Sequence, residues 1–258
     1  MTVDSQRQIV TRPVRDVLEL KKVLQLVHDS YVRSGYMKPN PAQIRLGVHY
    51  ALPSTRTFVA LEEEEIVATV SLFADSPLGL PLDSLYSDWV GGLRSQRRKV
   101  GEVGMLAYHC AGLARRSTAL LLMMKLVFHD ARQENINDLL ITVNPRHVRF
   151  YERLLCFEVF GPQMHYSAVA NAPAVLMRLK ILELAPADVP RDQIRSIFFS
   201  PMESLKAPAY HMRKADLGTL FTGMTDIFRS LNRKQIAVIE EQFPGLRISD
   251  MMRARRRK

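Results

Sequence analysis

Cysteine is scarce: Cys110 and Cys156 are the two thiols in a chain of 258 residues. That density argues against a secreted fold built on disulfides, and a reducing cytoplasm is the expected compartment. Long apolar runs are also missing. No stretch approaches the roughly 20 residues needed to span a bilayer, and Met1 to Arg7 is too polar for a signal segment. The seven histidines show no metal-ligand spacing, so no metal is expected. Internal repeats are absent, and the one low-complexity tract is the acidic run Glu62 to Glu65, which reads as a hairpin turn.

What is present is a core-forming composition. Hydrophobic residues make up 47% of the chain and charged residues 24%, enough for one well-filled core with a smaller appendage. The net charge is +10, and five positive side chains close the sequence: Arg253, Arg255, Arg256, Arg257 and Lys258. A basic surface of this kind suits an acidic protein, an anionic membrane surface or nucleic acid. The last of these is disfavoured, because residues 187–258 lack interleaved aromatics and any recognisable DNA-binding motif.

Periodicity predicts an α/β chain. Gln8 to Val14 reads as a strand. Asp16 caps a helix with Leu20, Val23, Leu24, Val27 and Tyr31 on one face. After a long connection over residues 36–54, Thr57 to Leu61 and Ile66 to Phe73 form a β-hairpin. A helix follows Gly79-Leu80-Pro81-Leu82-Asp83 and is expected to end at Gly91-Gly92, before a basic loop from Arg94 to Lys99. Val100 to Tyr108 is the next strand. A loop over 109–116 then leads to a helix capped by Ser117 or Thr118, with Leu120, Met123, Met124, Val127, Phe128 and Ala131 facing the core. Leu139 to Val143 is a strand. Asn144-Pro145 opens a short amphipathic helix with Val148, Tyr151, Leu154 and Leu155 on one face. Two further strands follow, the last over Ala174 to Leu182. Beyond Pro186, residues 215–231 and 232–243 look helical, with Asn232 as a cap and Pro244-Gly245 as a stop. The division is a domain over 1–186 and a helical extension with a basic tail over 187–258.

The segment Val143 to Phe157 is similar to the last third of the GCN5-related N-acetyltransferase fold. Several further pieces together resemble the bacterial N-acyl amino acid synthases. They are Tyr31-Val32-Arg33-Ser34-Gly35-Tyr36, Leu52-Pro53-Ser54-Thr55-Arg56-Thr57-Phe58-Val59-Ala60, Thr69 to Ser76, Gly79 to Asp83, Gly101-Glu102-Val103-Gly104-Met105-Leu106-Ala107 and Val143 to Phe157. The resemblance spans roughly residues 8–182. It implies an N-acetyltransferase-like mixed central sheet flanked by helices. It also implies transfer of a long fatty acyl chain from acyl carrier protein to the α-amino group of an amino acid. The fold is shared with acyl-homoserine lactone synthases and with coenzyme A-dependent acetyltransferases, which stand as the alternative activities. A non-catalytic binding protein with a basic docking tail is the alternative of another class.

Aminolysis of a thioester needs a base, because an amino acid carries an ammonium at neutral pH. Glu102 is the candidate the resemblance implies, with Val103 and Met105 expected on the opposite face of the strand. An ion pair with Arg97, Arg98 or Lys99 is its structural alternative. Backbone N–H groups from Met105, Leu106 and Ala107 would stabilise the oxyanion, aimed by a bulge at Gly104. Tyr151 would protonate the leaving thiolate, or serve as a core aromatic. The phosphopantetheine of acyl carrier protein (or acyl-CoA) is the acyl donor, with no separately bound cofactor. Its phosphate would meet Arg115, Arg116, Ser117 and Thr118 at a helix start. Thr118 and Leu120 occupy the two glycine positions with which acetyltransferases wrap a pyrophosphate, so a single phosphate fits better. Asp83 and Arg94 border the expected pocket for the free amino acid, with Arg33 and Arg56 as other carboxylate binders. Cys110 lies just past the strand with His109 beside it, and adjacent residues in extended chain point apart, so they form no Cys–His pair. Cys156 stands where the resemblance implies a glycine before Phe157, and both cysteines are expected to be structural. Phe73, Met105, Leu106 and Phe128 are the residues expected along an acyl tunnel.

Overall fold

The computed structural model describes residues 8–109, 112–189, 192–200 and 209–255. Cys110 and the terminal Arg256, Arg257 and Lys258 lie outside them. Seven strands form one mixed sheet in the order β1-β2-β3-β4-β5-β7-β6. They are β1 (Val10–Pro13), β2 (Arg56–Glu62), β3 (Glu65–Ala74), β4 (Val100–Tyr108), β5 (Asp138–Val143), β6 (Glu158–Tyr166) and β7 (Ala172–Leu179). Neighbours run antiparallel except β4 and β5, which are parallel. The element order along the chain is the expected one.

Two helical layers cover the sheet. Helices α3 (Leu113–Gln133), α4 (Val148–Leu155) and α5 (Asp192–Phe199) contribute to the core on one face. On the other lie α1 (Val17–Arg33), α2 (Asp83–Ser95), α6 (Lys214–Leu217), α7 (Ile227–Ser230), α8 (Arg233–Glu241) and α9 (Ile248–Arg255). The stripe on α3 is buried as expected, from Leu120 to Ala131. Asp16 caps α1 by accepting from the Glu19 N–H at 2.8 Å. Asn232 and Gln235 cap α8 reciprocally. None of the helices among the described residues is long and apolar enough to cross a membrane.

Three boundaries differ from expectation. Helix α2 continues through Gly91-Gly92 to Ser95. Each glycine costs about 1 kcal/mol in a helix, but Leu93 is buried and Arg94 is tied to two carboxylates. Helix α3 begins at Leu113, a turn before Ser117 and Thr118, because Gly112 takes a φ of 82° and breaks the chain there. Residues 215–231 are not one helix but α6, a π-turn over Gly218–Thr222, and α7.

Two irregularities shape the centre of the sheet. Parallel pairing covers Val100↔Asp138, Gly101↔Leu139 and Glu102↔Leu140, after which β4 and β5 part. Buried Asp138 pins the closed end, accepting from both Arg98 and Arg178. Strand β4 also carries a bulge. Thr69 faces Ala107 and Ser71 faces Gly104, so Met105 and Leu106 together oppose Val70. The bulge therefore falls one residue beyond Gly104, and Met105 carries the left-handed φ of 54°.

Candidate active site

The bulge decides which β4 side chains meet. Glu102 lies on the face of α1 and α2, opposite Phe73 across the strands. Val103 points to the α3 face, as alternation requires. Met105 does not follow it: the inserted residue flips the alternation, and Met105 and Ala107 return to the Glu102 face. Leu106 packs on the α3 side. The four residues expected along one acyl tunnel are thus divided by the sheet, Phe73 and Met105 on one face, Leu106 and Phe128 on the other.

Glu102 is 5% exposed and has no ion-pair partner among the described residues. Arg98 instead bonds Asp138 and Glu183. The Glu102 carboxylate accepts from the Leu82 N–H at 2.8 Å, at the start of α2. Burial pushes this carboxyl up to about 8; the Leu82 N–H opposes the rise and Asp83 adds to it. A carboxyl in that range exchanges a proton near neutral pH, as a general base must.

The turn carrying Leu82 is held from several sides. Asp83 accepts from the Leu80 N–H at 2.8 Å. Arg94 donates to Asp75 at 2.7 Å and to Asp83 at 2.6 Å. The Tyr166 hydroxyl donates to the Pro81 carbonyl at 3.1 Å. Asp83 and Arg94 therefore sit beside Glu102, but Arg94 is already engaged by two carboxylates. Of the other arginines expected to take a substrate carboxylate, Arg56 bonds Glu134 at 2.8 Å and Arg33 donates to the Tyr108 carbonyl at 3.4 Å.

Tyrosines complete the surroundings. Burial raises the Tyr31 phenol, with Glu102 adding to the rise and Arg45 opposing it. Burial pushes Tyr166 up to about 12, with Glu102 next in effect. Tyr50 bonds Ser71 at 2.8 Å, and Thr57 bonds the same hydroxyl at 3.0 Å. Tyr151 comes from the opposite layer, on α4, with edge contacts to Phe150 and Phe157. Burial raises its phenol, and Tyr31 contributes. The two rings thus approach the sheet from opposite layers. Asn144 accepts from the Arg146 N–H at 3.3 Å and caps the turn before α4. Cys156 ends α4 at a φ of 57°, half-buried.

The expected phosphate contacts share the first two turns of α3. Arg115 pairs with Glu62 at 2.9 Å, and the Thr118 hydroxyl donates to the Ala114 carbonyl at 3.1 Å. Arg116 is exposed. Tyr31, Arg45, His49, Tyr50 and Tyr166 carry no role in the sequence reading. Tyr31 shows as a core position of a helix and as the first residue of a segment that carries the resemblance, and the other four have no periodic signal. A surface cleft lined by Arg15, Asp16, Leu18 and Glu19 shares none of these groups.

A mixed sheet opened between two parallel strands, with a buried acid on one and a tyrosine-bearing helix after the other, defines an N-acyltransferase of the acetyltransferase-like fold. Residues 22–180 match the family model described as N-acyl amino acid synthase FeeM, and the chain belongs to that family. It is similar to the solved structure of FeeM, an N-acyl amino acid synthase from uncultured soil microbes. The identity is 27% over 74% of this chain and 98% of that one, with a TM-score of 0.63. The acyl-homoserine lactone synthase LasI shares the fold at 14% identity, over 68% of this chain and 91% of that one, with a TM-score of 0.51. A coenzyme A-dependent acyl-homoserine lactone synthase, BjaI, does so at 14% identity, over 74% of this chain and 86% of that one, with a TM-score of 0.50. No curated protein sequence matches the chain.

Proposed function

We propose that this N-acyltransferase moves a long fatty acyl group from the phosphopantetheine thioester of acyl carrier protein to the α-amino group of a free amino acid. The observation that carries the reading is Glu102: a buried carboxyl held up to about 8, on the strand that borders the opened sheet. Glu102 takes a proton from the acceptor ammonium. The freed amine attacks the thioester carbon and forms the C–N bond. The oxyanion is met by N–H groups of the bulged segment Met105, Leu106 and Ala107, whose β5-facing edge has no pairing beyond Glu102 among the described residues. The C–S bond then breaks, Tyr151 supplies a proton to the thiolate, and the second proton lost by the attacking nitrogen returns the phenol to its neutral form through solvent. Asp83 and Arg94 act by holding the Leu82 turn under Glu102. Arg116, Ser117 and Thr118, with Arg115, receive the pantetheine phosphate at the start of α3.

The net charge of +10 supports an acidic carrier protein as donor. The terminal arginines and lysine add attraction to an anionic membrane surface, about 1 kcal/mol each at best, in keeping with a cytoplasmic enzyme releasing a lipid product. The test is product analysis with purified protein, a panel of amino acids, and acyl carrier protein or coenzyme A thioesters of several chain lengths. N-acyl amino acids formed faster from the carrier protein than from coenzyme A are expected. Faster turnover of the coenzyme A thioester moves the donor assignment, and acyl-homoserine lactones instead of N-acyl amino acids overturn the reading.

A further inference from the structure

The acceptor has two charged ends on one carbon. A base for the ammonium must therefore have a cation nearby for the carboxylate. Arg94, Arg56 and Arg33 already hold carboxylates or a carbonyl. Among the described residues, Arg45 and Arg132 are the half-buried arginines with no carboxylate partner. Arg132 is satisfied by the carbonyls of Ile181, Leu184 and Phe198. Arg45 is not. It donates to one carbonyl, Ala168 at 3.0 Å, and to the Met37 sulfur at 3.8 Å, a weak acceptor. Its Nε is buried and unpartnered.

We propose that Arg45 binds the α-carboxylate of the amino acid acceptor. This rests on the acyl-transfer reading above and names a residue for its second substrate. The guanidinium lies over the Tyr31 ring, 4.6 Å from its centre, which fixes its plane while its Nε stays without a partner and one terminal nitrogen has only a thioether. Arg45 donates to Ala168, two residues after Tyr166, and the Tyr166 hydroxyl donates to Pro81, next to the Leu82 N–H that Glu102 accepts, so a short run of contacts joins the cation to the base. An α-amino acid set there presents its ammonium to Glu102 and its carboxylate to Arg45. The segment that carries Arg45 is anchored independently: the Arg45 N–H donates to the Leu24 carbonyl of α1 at 3.0 Å, and Asn40 bonds the Ile44 carbonyl at 2.8 Å. A charged fork half out of water with an open donor is costly, and an arriving carboxylate removes that cost.

The test is calorimetric binding of each of the twenty standard L-amino acids, and of its methyl ester, to the intact chain. At least one acid is expected to bind the wild type roughly 10- to 100-fold more tightly than its ester. Arg45→Ala erases that preference while leaving the ester's affinity unchanged, and Arg45→Lys, charged but without the fork, falls between. Arg45→Gln carries the test if Arg45→Ala does not fold. Equal affinity for every acid and its ester in the wild type overturns the proposal, as does an undiminished preference in the folded variants. The outcomes separate the two readings. A protein that binds an acid through Arg45 yet makes no N-acyl product sinks the transferase reading alone. One that makes product with its acid preference intact in Arg45→Ala sinks this proposal alone.

Discussion

At the scale of single residues, Glu102 links stability to activity. Its carboxyl rises from 4.5 to about 8 on folding, mainly by burial. Between those values the folded chain holds a proton that the unfolded chain has released. The stability contributed by this group is thus complete below about 4.5 and lost as pH climbs through about 8. Glu102→Gln keeps the shape without the charge. It is expected to lower turnover by about 100-fold or more and to lack the rise in kcat/KM near pH 8 expected of the wild type. At pH 9 the variant is expected to be the more stable protein, by on the order of a few kcal/mol. Denaturant titrations at pH 6 and pH 9, beside pH–rate profiles, check both halves. Near-full turnover in a folded Glu102→Gln protein removes the base from Glu102. Cys156 offers a second check at this scale. It closes α4 at a φ of 57°, which favours glycine. Replacing it by glycine is expected to leave the protein about 1 kcal/mol more stable than replacing it by alanine, measured by urea unfolding of the two variants.

At the scale of elements, sequence patterning resolved most of the sheet because each strand's register is written in its side chains. The β2–β3 hairpin is the clearest case, since both strands are rich in β-branched residues and only the acidic run interrupts them. Its turn places Glu63 and Glu64 at φ of 49° and 66°, where side chains are disfavoured. Glu63→Asn with Glu64→Gly is expected to stabilise the protein by about 1–2 kcal/mol, seen as a higher midpoint in urea. What patterning missed are effects of the third dimension. Periodicity assigned Met105 to the wrong face because a bulge inserts one residue, and nothing local separates Met105 from Gly104 as its site. Arg45 and His49 lie in a connection without periodicity, and Tyr166 meets the site only because β6 ends beside Pro81. Asp138 was likewise invisible as a junction, though it is fully buried between Arg98 and Arg178 where β4 and β5 join. Asp138→Asn leaves Arg178 without a carboxylate and Arg98 with Glu183 alone, and is expected to cost about 3 kcal/mol. If it costs under 1 kcal/mol by chemical denaturation, this pair is not what pins the closed end of the opened sheet.

At the scale of the whole molecule, the C-terminal extension is part of both cores. The family match ends at residue 180, yet the chain beyond it covers each layer. On one face Phe198 of α5 stacks on Phe128 of α3 with centres 4.5 Å apart, and the Phe198 carbonyl accepts from Arg132 at 2.6 Å. On the other, Leu217, Leu220, Phe221, Phe228, Ile239 and Phe243 are buried in the cluster that holds α1 and α2. The Tyr210 N–H bonds the Val14 carbonyl at 3.1 Å, so the extension also returns to the first strand's end. Removing residues 187–258 therefore bares apolar surface on two sides at once. Each large side chain left uncovered forfeits roughly 1.5–3 kcal/mol, and a domain of this size has about 5–15 kcal/mol in all. The truncated chain is expected to be insoluble, or to melt well below the full chain without a sharp transition. By contrast, removing Arg253 to Lys258 takes away five positive charges and one alanine, so melting should hold while binding to anionic vesicles falls. Melting curves and vesicle sedimentation of the two truncations separate these roles. If the chain ending at residue 186 melts cooperatively near the full-length temperature, the extension is an accessory to the fold, and its buried phenylalanines serve another purpose.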